Sequence, residues 1–171
     1  MRVFQKRNCF GRGDWTFNGN VTVQGNLNLA TIDVKARAYL DGTQAGGPNT
    51  LIQLNAESFD LGNDFDASTH RFTAPRTGYY QVNAGVLYTS LGTDIDTIVT
   101  AIEKNGTAPW VVAKESSRQD EVVHTIADIM YLNANDYIEL FNDYSGPTGA
   151  AVTIYGNSYG IYTYLSVSQL L

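Results

Sequence analysis

Gly156-Asn157-Ser158-Tyr159-Gly160 has the G-x-S-x-G spacing. In a hydrolase that spacing bends a strand sharply into a helix and lifts the serine hydroxyl clear. Here a β-type run follows, and both histidines, His70 and His124, stand earlier in the chain. The stretch therefore reads as a turn. Nor do the histidines form a metal set, since zinc asks for three or four ligands. His124 lies on an otherwise apolar strand face and is expected in the core or at a subunit contact. Asp94 and Asp96 sit two apart in "GTDIDT", as do Asp64 and Asp66 in "GNDFDAS". Alternate residues of an extended chain point the same way, so Asp94 and Asp96 are candidate Ca²⁺ ligands, weighed against ordinary turn-forming aspartate. No EF-hand pattern is present. Trp110, Tyr144, Tyr155, Tyr159 and Tyr162 could form a stacking surface for sugars, weighed against core or interface packing. The expectation is a protein with no catalytic residue and no required cofactor, with Ca²⁺ the one ion that has candidate ligands.

Two short motifs carry less. Asn20-Val21-Thr22 and Asn105-Gly106-Thr107 are glycosylation sequons, which matter only in a eukaryotic secretory pathway. Arg12-Gly13-Asp14 is explained more simply by a tight turn, or by chance, than by integrin binding.

Composition bounds the class. The 171 residues suit one domain with a short appendage. Hydrophobic residues make up 43% and charged residues only 16%, so the surface is polar but weakly charged. The net charge of −6 argues against nucleic acid, whose phosphates ask for clustered Lys and Arg. The basic residues that do cluster are N-terminal. Arg2, Phe4, Lys6, Arg7, Phe10 and Arg12 are the expected docking residues for an acidic partner surface. The lone Cys9 excludes an intrachain disulfide. The N-terminus shows no signal-peptide apolar region, and no stretch approaches the ~18 apolar residues of a membrane span.

Period-2 alternation and β-branched or aromatic runs dominate the chain. They predict strands at Val34–Leu40, Thr50–Leu54, Arg71–Thr73, Gly78–Ser90, Thr97–Lys104, Trp110–Glu115, Glu121–Leu132, Tyr137–Asn142, Val152–Tyr155 and Tyr159–Leu170. Turn-rich segments such as "DGTQAGGPN" and "DYSGPTGA" separate them. This is the rhythm of a sandwich or barrel spanning 32–171. Glu121–Leu132 is largely apolar on both faces: Val122, His124, Ile126, Asp128, Met130 and Leu132 on one, Val123, Thr125, Ala127, Ile129 and Tyr131 on the other. A half-exposed strand would show a polar second face, so the second face is expected to be covered by the other sheet or by another copy of the chain. Gly78–Ser90 behaves likewise. Residues 1–31 form a separate leader. Its units Asn18–Val23 and Gln24–Leu29 repeat x-Gly-Asn-Φ-x-Φ at a period of six. Two such hexapeptides cannot bury Val21, Val23, Leu27 and Leu29 alone, so neighbouring chains are the expected partners, against an ordinary hairpin packed on the domain.

"FDASTHRFTAPRTGYYQVNAGVLYTS" carries a further signal. Phe65-Asp66, then Phe72, Pro75, Gly78 and Tyr80 follow the Phe-x-x-Pro-x-x-Gly-x-Tyr pattern. The hairpin at Lys104-Asn105-Gly106 and the Leu132…Asp136 element come later. Together these resemble the globular head of the C1q and tumour-necrosis-factor superfamily, over roughly Val34 to Leu171. The resemblance implies a ten-stranded jelly roll packed as a homotrimer through aromatic and apolar faces, and some superfamily members hold Ca²⁺ in the trimer. Asn135 replaces the family's Gly, the final strand lacks Phe-Ser-Gly-Phe, and no Gly-X-Y stalk precedes the head, so complement and collagen-linked roles are not carried over. The leader is similar instead to segments preceding head domains in bacteriophage fibres and bacterial surface proteins. The expectation is a non-enzymatic virion-surface protein of a bacteriophage, either a capsid decoration protein or head fibre, or a receptor-binding fibre tip. Its leader would dock on a major capsid or tail protein and its head would meet host glycan or protein, without membrane insertion. The alternative is an adhesion module of a bacterial surface or spore coat. A glycan hydrolase would need an acid pair in a cleft, which the sequence does not supply.

Overall fold

The computed structural model describes residues 34–89, 91, 95–107, 109–116, 120–146 and 152–170. The leader, including Arg2 to Arg12 and Val21 to Leu29, lies outside the described residues, as does Asp94.

The described chain is all-β. Its strands are β1 (Lys35–Tyr39), β2 (Thr43–Gly46), β3 (Thr50–Leu51), β4 (Ala56–Asp60), β5 (Phe65–Asp66), β6 (Arg71–Thr73) and β7 (Gly78–Thr89). They continue with β8 (Thr97–Lys104), β9 (Pro109–Glu115), β10 (Glu121–Leu132), β11 (Tyr137–Ser145), β12 (Val152–Tyr155) and β13 (Tyr164–Gln169). Two sheets result. Sheet A runs β2-β12-β7-β13-β1-β4, with β10 along the other edge of β7. β12 and β13 share one edge of β7 end to end, pairing with Leu87–Thr89 and Tyr80–Gly85 respectively. Sheet B runs β5-β6-β11-β8-β9, with β3 also on β11.

The sheets face each other across alternating apolar residues. Tyr80, Val82, Val86 and Tyr88 of β7 meet Ile98 and Ile102 of β8 and Ile138 and Leu140 of β11, all fully buried. Val122, Ile126, Met130 and Leu132 extend this core along β10. Burying each such side chain contributes roughly 1.5–3 kcal/mol, which is why strands with a clean alternation form where the pattern places them.

Most predicted strands appear within a residue or two. Tyr159–Leu170 is the main correction: the strand begins only at Tyr164, and Gly156–Thr163 is a loop. A Cβ at Gly156 would collide with the Leu40 carbonyl, and Gly160 takes φ +64°, so the chain must turn away before it can pair. Thr43–Gly46, assigned to a turn by its composition, is an edge strand. Gly42, at φ +96°, makes the turn, and the next residues pair with β12. Ala56–Asp60 and Phe65–Asp66 are strands that their short, mixed patterns do not announce.

Candidate assembly surface

The residues of the Phe-x-x-Pro-x-x-Gly-x-Tyr pattern collect at one end of the sandwich, and their work is structural. Phe72 is fully buried, edge-on to Tyr80 at 5.9 Å. The Tyr80 hydroxyl donates to the Arg76 carbonyl at 2.5 Å, closing the turn that Pro75 sets. Asn105 and Gly106 both take positive φ, 55° and 64°, as the central pair of the turn that Thr107 N closes on Lys104 O at 3.1 Å, within the β8–β9 connection. Asp136 joins these turns. Its carboxylate accepts from Asn133 N at 2.7 Å and from Asn105 Nδ2 at 2.8 Å, and pairs with Lys104 at 2.8 Å. Its carbonyl accepts from Ala74 N. Lys104 and these donors hold the Asp136 carboxyl well below the usual carboxylate range. Asn135 takes φ +71°, as the glycine it replaces would.

The outer face of sheet A is different in kind. On β10, Val123, Thr125, Ala127, Ile129 and Tyr131 stand opposite Leu87, Gly85, Asn83, Gln81 and Tyr79 of β7. Directly opposed residues share a face. Val123 is 62% exposed, Ile129 53%, Tyr79 59% and Tyr131 44%. Tyr79 and Tyr131 stack edge-on at 5.2 Å. The rows continue onto neighbouring strands: Tyr155 lies opposite Leu87, Tyr164 opposite Gly85, and Ser166 opposite Asn83. A Cβ at Gly85 would strike the Tyr164 ring at 2.6 Å, and the Arg37 guanidinium covers that ring at 4.4 Å. The result is an outer face with exposed apolar side chains toward both ends and, between them, the Tyr164 ring under Arg37 beside Thr125 and Asn83. Sequence alternation marks Val123, Ile129 and Tyr131. Tyr79 is marked by the two-faced Gly78–Ser90 run. The opposite face of β10 is buried against sheet B, so among the described residues the two-faced strand is covered on one side only.

No family model and no curated protein matches the sequence. Solved structures do match. Eiger TNF from S. frugiperda superposes with TM-score 0.64 at 14% identity, over 82% of this chain and 94% of that one. The globular domain of zebrafish complement 1qA gives 0.62 at 12%, over 81% and 98%. Murine APRIL gives 0.60 at 12%, over 81% and 99%. The fold is that of a C1q/TNF-like head. At these identities the likeness is one of architecture.

The remaining candidates of the C1q/TNF-like head fall in separate places. Ser158 sits in the turn between β12 and β13, where Gly160 N donates to the Asn157 carbonyl at 3.0 Å. His124 is buried between the sheets. Its Nδ1 meets Thr100 Oγ1 at 2.9 Å, Thr100 meets the Tyr88 hydroxyl at 2.6 Å, and Nε2 is buried without a partner. Burial pushes its pKa down, against a smaller opposing pull from Glu115. Asp96 is exposed, its amide donating to Ser145 O. The Asp66 carboxylate accepts from Ser68 N, Ser68 Oγ and Thr69 Oγ1, which hold it down to about 2. Asp64 lines a polar depression of about 550 Å³ with Asp66, Pro75 and Asn135. Burial and the neighbouring Asp60 raise its pKa. Among the described residues no three His, Cys, Asp or Glu side chains converge as a metal site. The aromatic candidates do not form one platform. Trp110 is exposed on the edge strand β9 beside Lys104, Tyr144 packs against the core, and Tyr159 projects from the β12–β13 loop.

Proposed function

We propose that this chain is a non-enzymatic homotrimeric surface protein of a bacteriophage particle. Its C1q/TNF-like head would face outward, and Arg2, Phe4, Lys6, Arg7, Phe10 and Arg12 would dock on a capsid or tail protein. The observation that carries the reading is the outer face of sheet A, whose large apolar side chains no described residue covers. Antiparallel sheets that end at water alternate apolar-in with polar-out. Here the outward row of β10 keeps Val123, Ile129 and Tyr131 instead. Large exposed apolar side chains clustered at both ends of one face mark a contact surface, and the family resemblance points to copies of the same chain. The virion setting is supported by the hexapeptide leader and its basic, aromatic start. No metal or cofactor is needed for such a role. Ca²⁺ at Asp96 with Asp94 remains part of the proposal, testable by calcium titration calorimetry.

Light scattering tests the assembly: a trimer is expected, and a monomer at tens of micromolar would remove the reading's foundation. Co-sedimentation with purified particles tests the docking. Deleting residues 1–31 is expected to abolish particle association while the head still assembles. Undiminished association would move the docking role elsewhere, and binding to bacterial cells without particles would favour the adhesion-module alternative.

A further inference from the structure

The loop Gly156–Thr163 is held more tightly than a simple connector needs. Gly156 N donates to Gly42 O at 2.7 Å, and Leu40 N donates to Thr163 O at 3.0 Å. Thr163 Oγ1 donates to Tyr155 O at 2.7 Å and accepts from Leu87 N at 3.3 Å. Arg37 Nη2 donates to Gly160 O at 2.5 Å, while its Nη1 holds Ser58. Yet this strapped loop points large apolar side chains at water: Tyr159 is 81% exposed and Ile161 59%. Neither is required for the loop's own shape, which the backbone contacts and the glycines already fix.

The loop is also continuous with the apolar face. Tyr162 stacks edge-on with Tyr155 at 5.3 Å, Tyr155 lies opposite Leu87, and Leu87 lies opposite Val123. A closed ring of three identical copies needs two different patches per copy, one fitting the other. The sheet face offers Val123 and Leu87 at the end next to the loop and Ile129, Tyr79 and Tyr131 at the other. The loop is a rigid protrusion beside it. A sugar is a poorer occupant. Ile161 offers no ring to stack on, Asn157 Oδ1 is turned inward to Tyr159 N, and both Arg37 terminal nitrogens are engaged.

We infer that the Gly156–Thr163 loop is the protruding half of the contact between copies, packing Tyr159 and Ile161 on the sheet A face of the next copy. The inference rests on the homotrimer reading. Pre-ordering by the Arg37 and Thr163 straps would leave little conformational entropy to lose on contact.

Sedimentation velocity over a concentration series tests it, on the wild-type chain, the Tyr159→Ser/Ile161→Ser double variant, the single Ile161→Ser variant and Val123→Asp on the sheet face. The double variant is expected to dissociate at concentrations about tenfold higher or more, as loss of buried contact anchors does. The single variant should show a smaller shift in the same direction. Far-UV circular dichroism should show folded chains, because no strap is touched. Wild-type-like assembly of both loop variants, with Val123→Asp monomeric, would overturn the inference and leave the trimer reading intact. A monomeric wild-type chain would overturn both. Unchanged assembly with loss of binding on a glycan array would overturn the inference and assign the loop to sugar recognition.

Discussion

Asp136 accepts hydrogen bonds from the β10–β11 turn and the β8–β9 hairpin while pairing with Lys104. Replacing it with alanine leaves Asn133 N and the Asn105 amide without their acceptor and the Lys104 ammonium without its partner. Asp136→Ala should lower unfolding free energy by about 1.5–3 kcal/mol in urea titration, the net worth of hydrogen bonds to a charged group. Asp136→Asn should recover part of this, since Oδ1 can still accept. His124 makes a pH prediction. Burial depresses its folded-state pKa below the ordinary 6.5. The unfolded chain therefore takes up a proton near 6.5 that the folded chain refuses, and the His124 contribution to stability is full above that pH and declines as pH falls below it. His124→Gln should flatten the decline in thermal midpoint between pH 7 and 5 relative to wild type. Equal slopes would show that Glu115 compensates the buried imidazolium. At this scale the sequence reads unevenly. Asn105-Gly106 and Pro75 speak for themselves because turn chemistry is local. The unpartnered Nε2 of His124 is invisible, because its surroundings come from β7, β8 and β9.

Among the elements, β7, β8 and β10 were legible because each has a face that alternates into the core for eight residues or more. β2 and the β12–β13 loop were not, and for the same physical reason. Tyr159, Ile161 and Tyr162 have strand-like propensity, and Thr43–Gly46 has turn-like composition, but pairing is decided by where a neighbouring backbone lies. Gly156 is the point at which that decision is made, since only a residue without Cβ clears the Leu40 and Gly42 carbonyls. Gly156→Ala should therefore destabilise the head by about 1–3 kcal/mol, the usual cost of overpacking. Its effect should also be regional. Hydrogen exchange should accelerate at Leu40, Leu87 and Gly160, whose contacts run through the loop, before it changes in the β8–β11 pair of sheet B. Uniform acceleration across both sheets would show that the loop is not a separate unit.

For the whole molecule, fold class was readable from rhythm and composition, but the proposed assembly face was readable only in half: alternation exposes Val123 and Ile129, while the Tyr164 ring over Gly85 between them depends on the β7–β13 pairing. How the copies would hold together follows from composition. Each carries a net charge of −6, so three together repel, while charged residues are only 16% of the chain. Contact through Val123, Ile129, Tyr79 and Tyr131 would rest on apolar burial, which salt does not screen, against a mutual repulsion that salt does screen. Assembly should therefore hold or strengthen as sodium chloride rises from about 50 mM to about 500 mM, the range over which exposed charges lose their reach. Sedimentation equilibrium at the two salt levels measures this directly. Weakening with salt would place the association energy in ion pairs instead. Strengthening, together with loss of assembly in Ile129→Lys, would locate it on the apolar rows of β7 and β10.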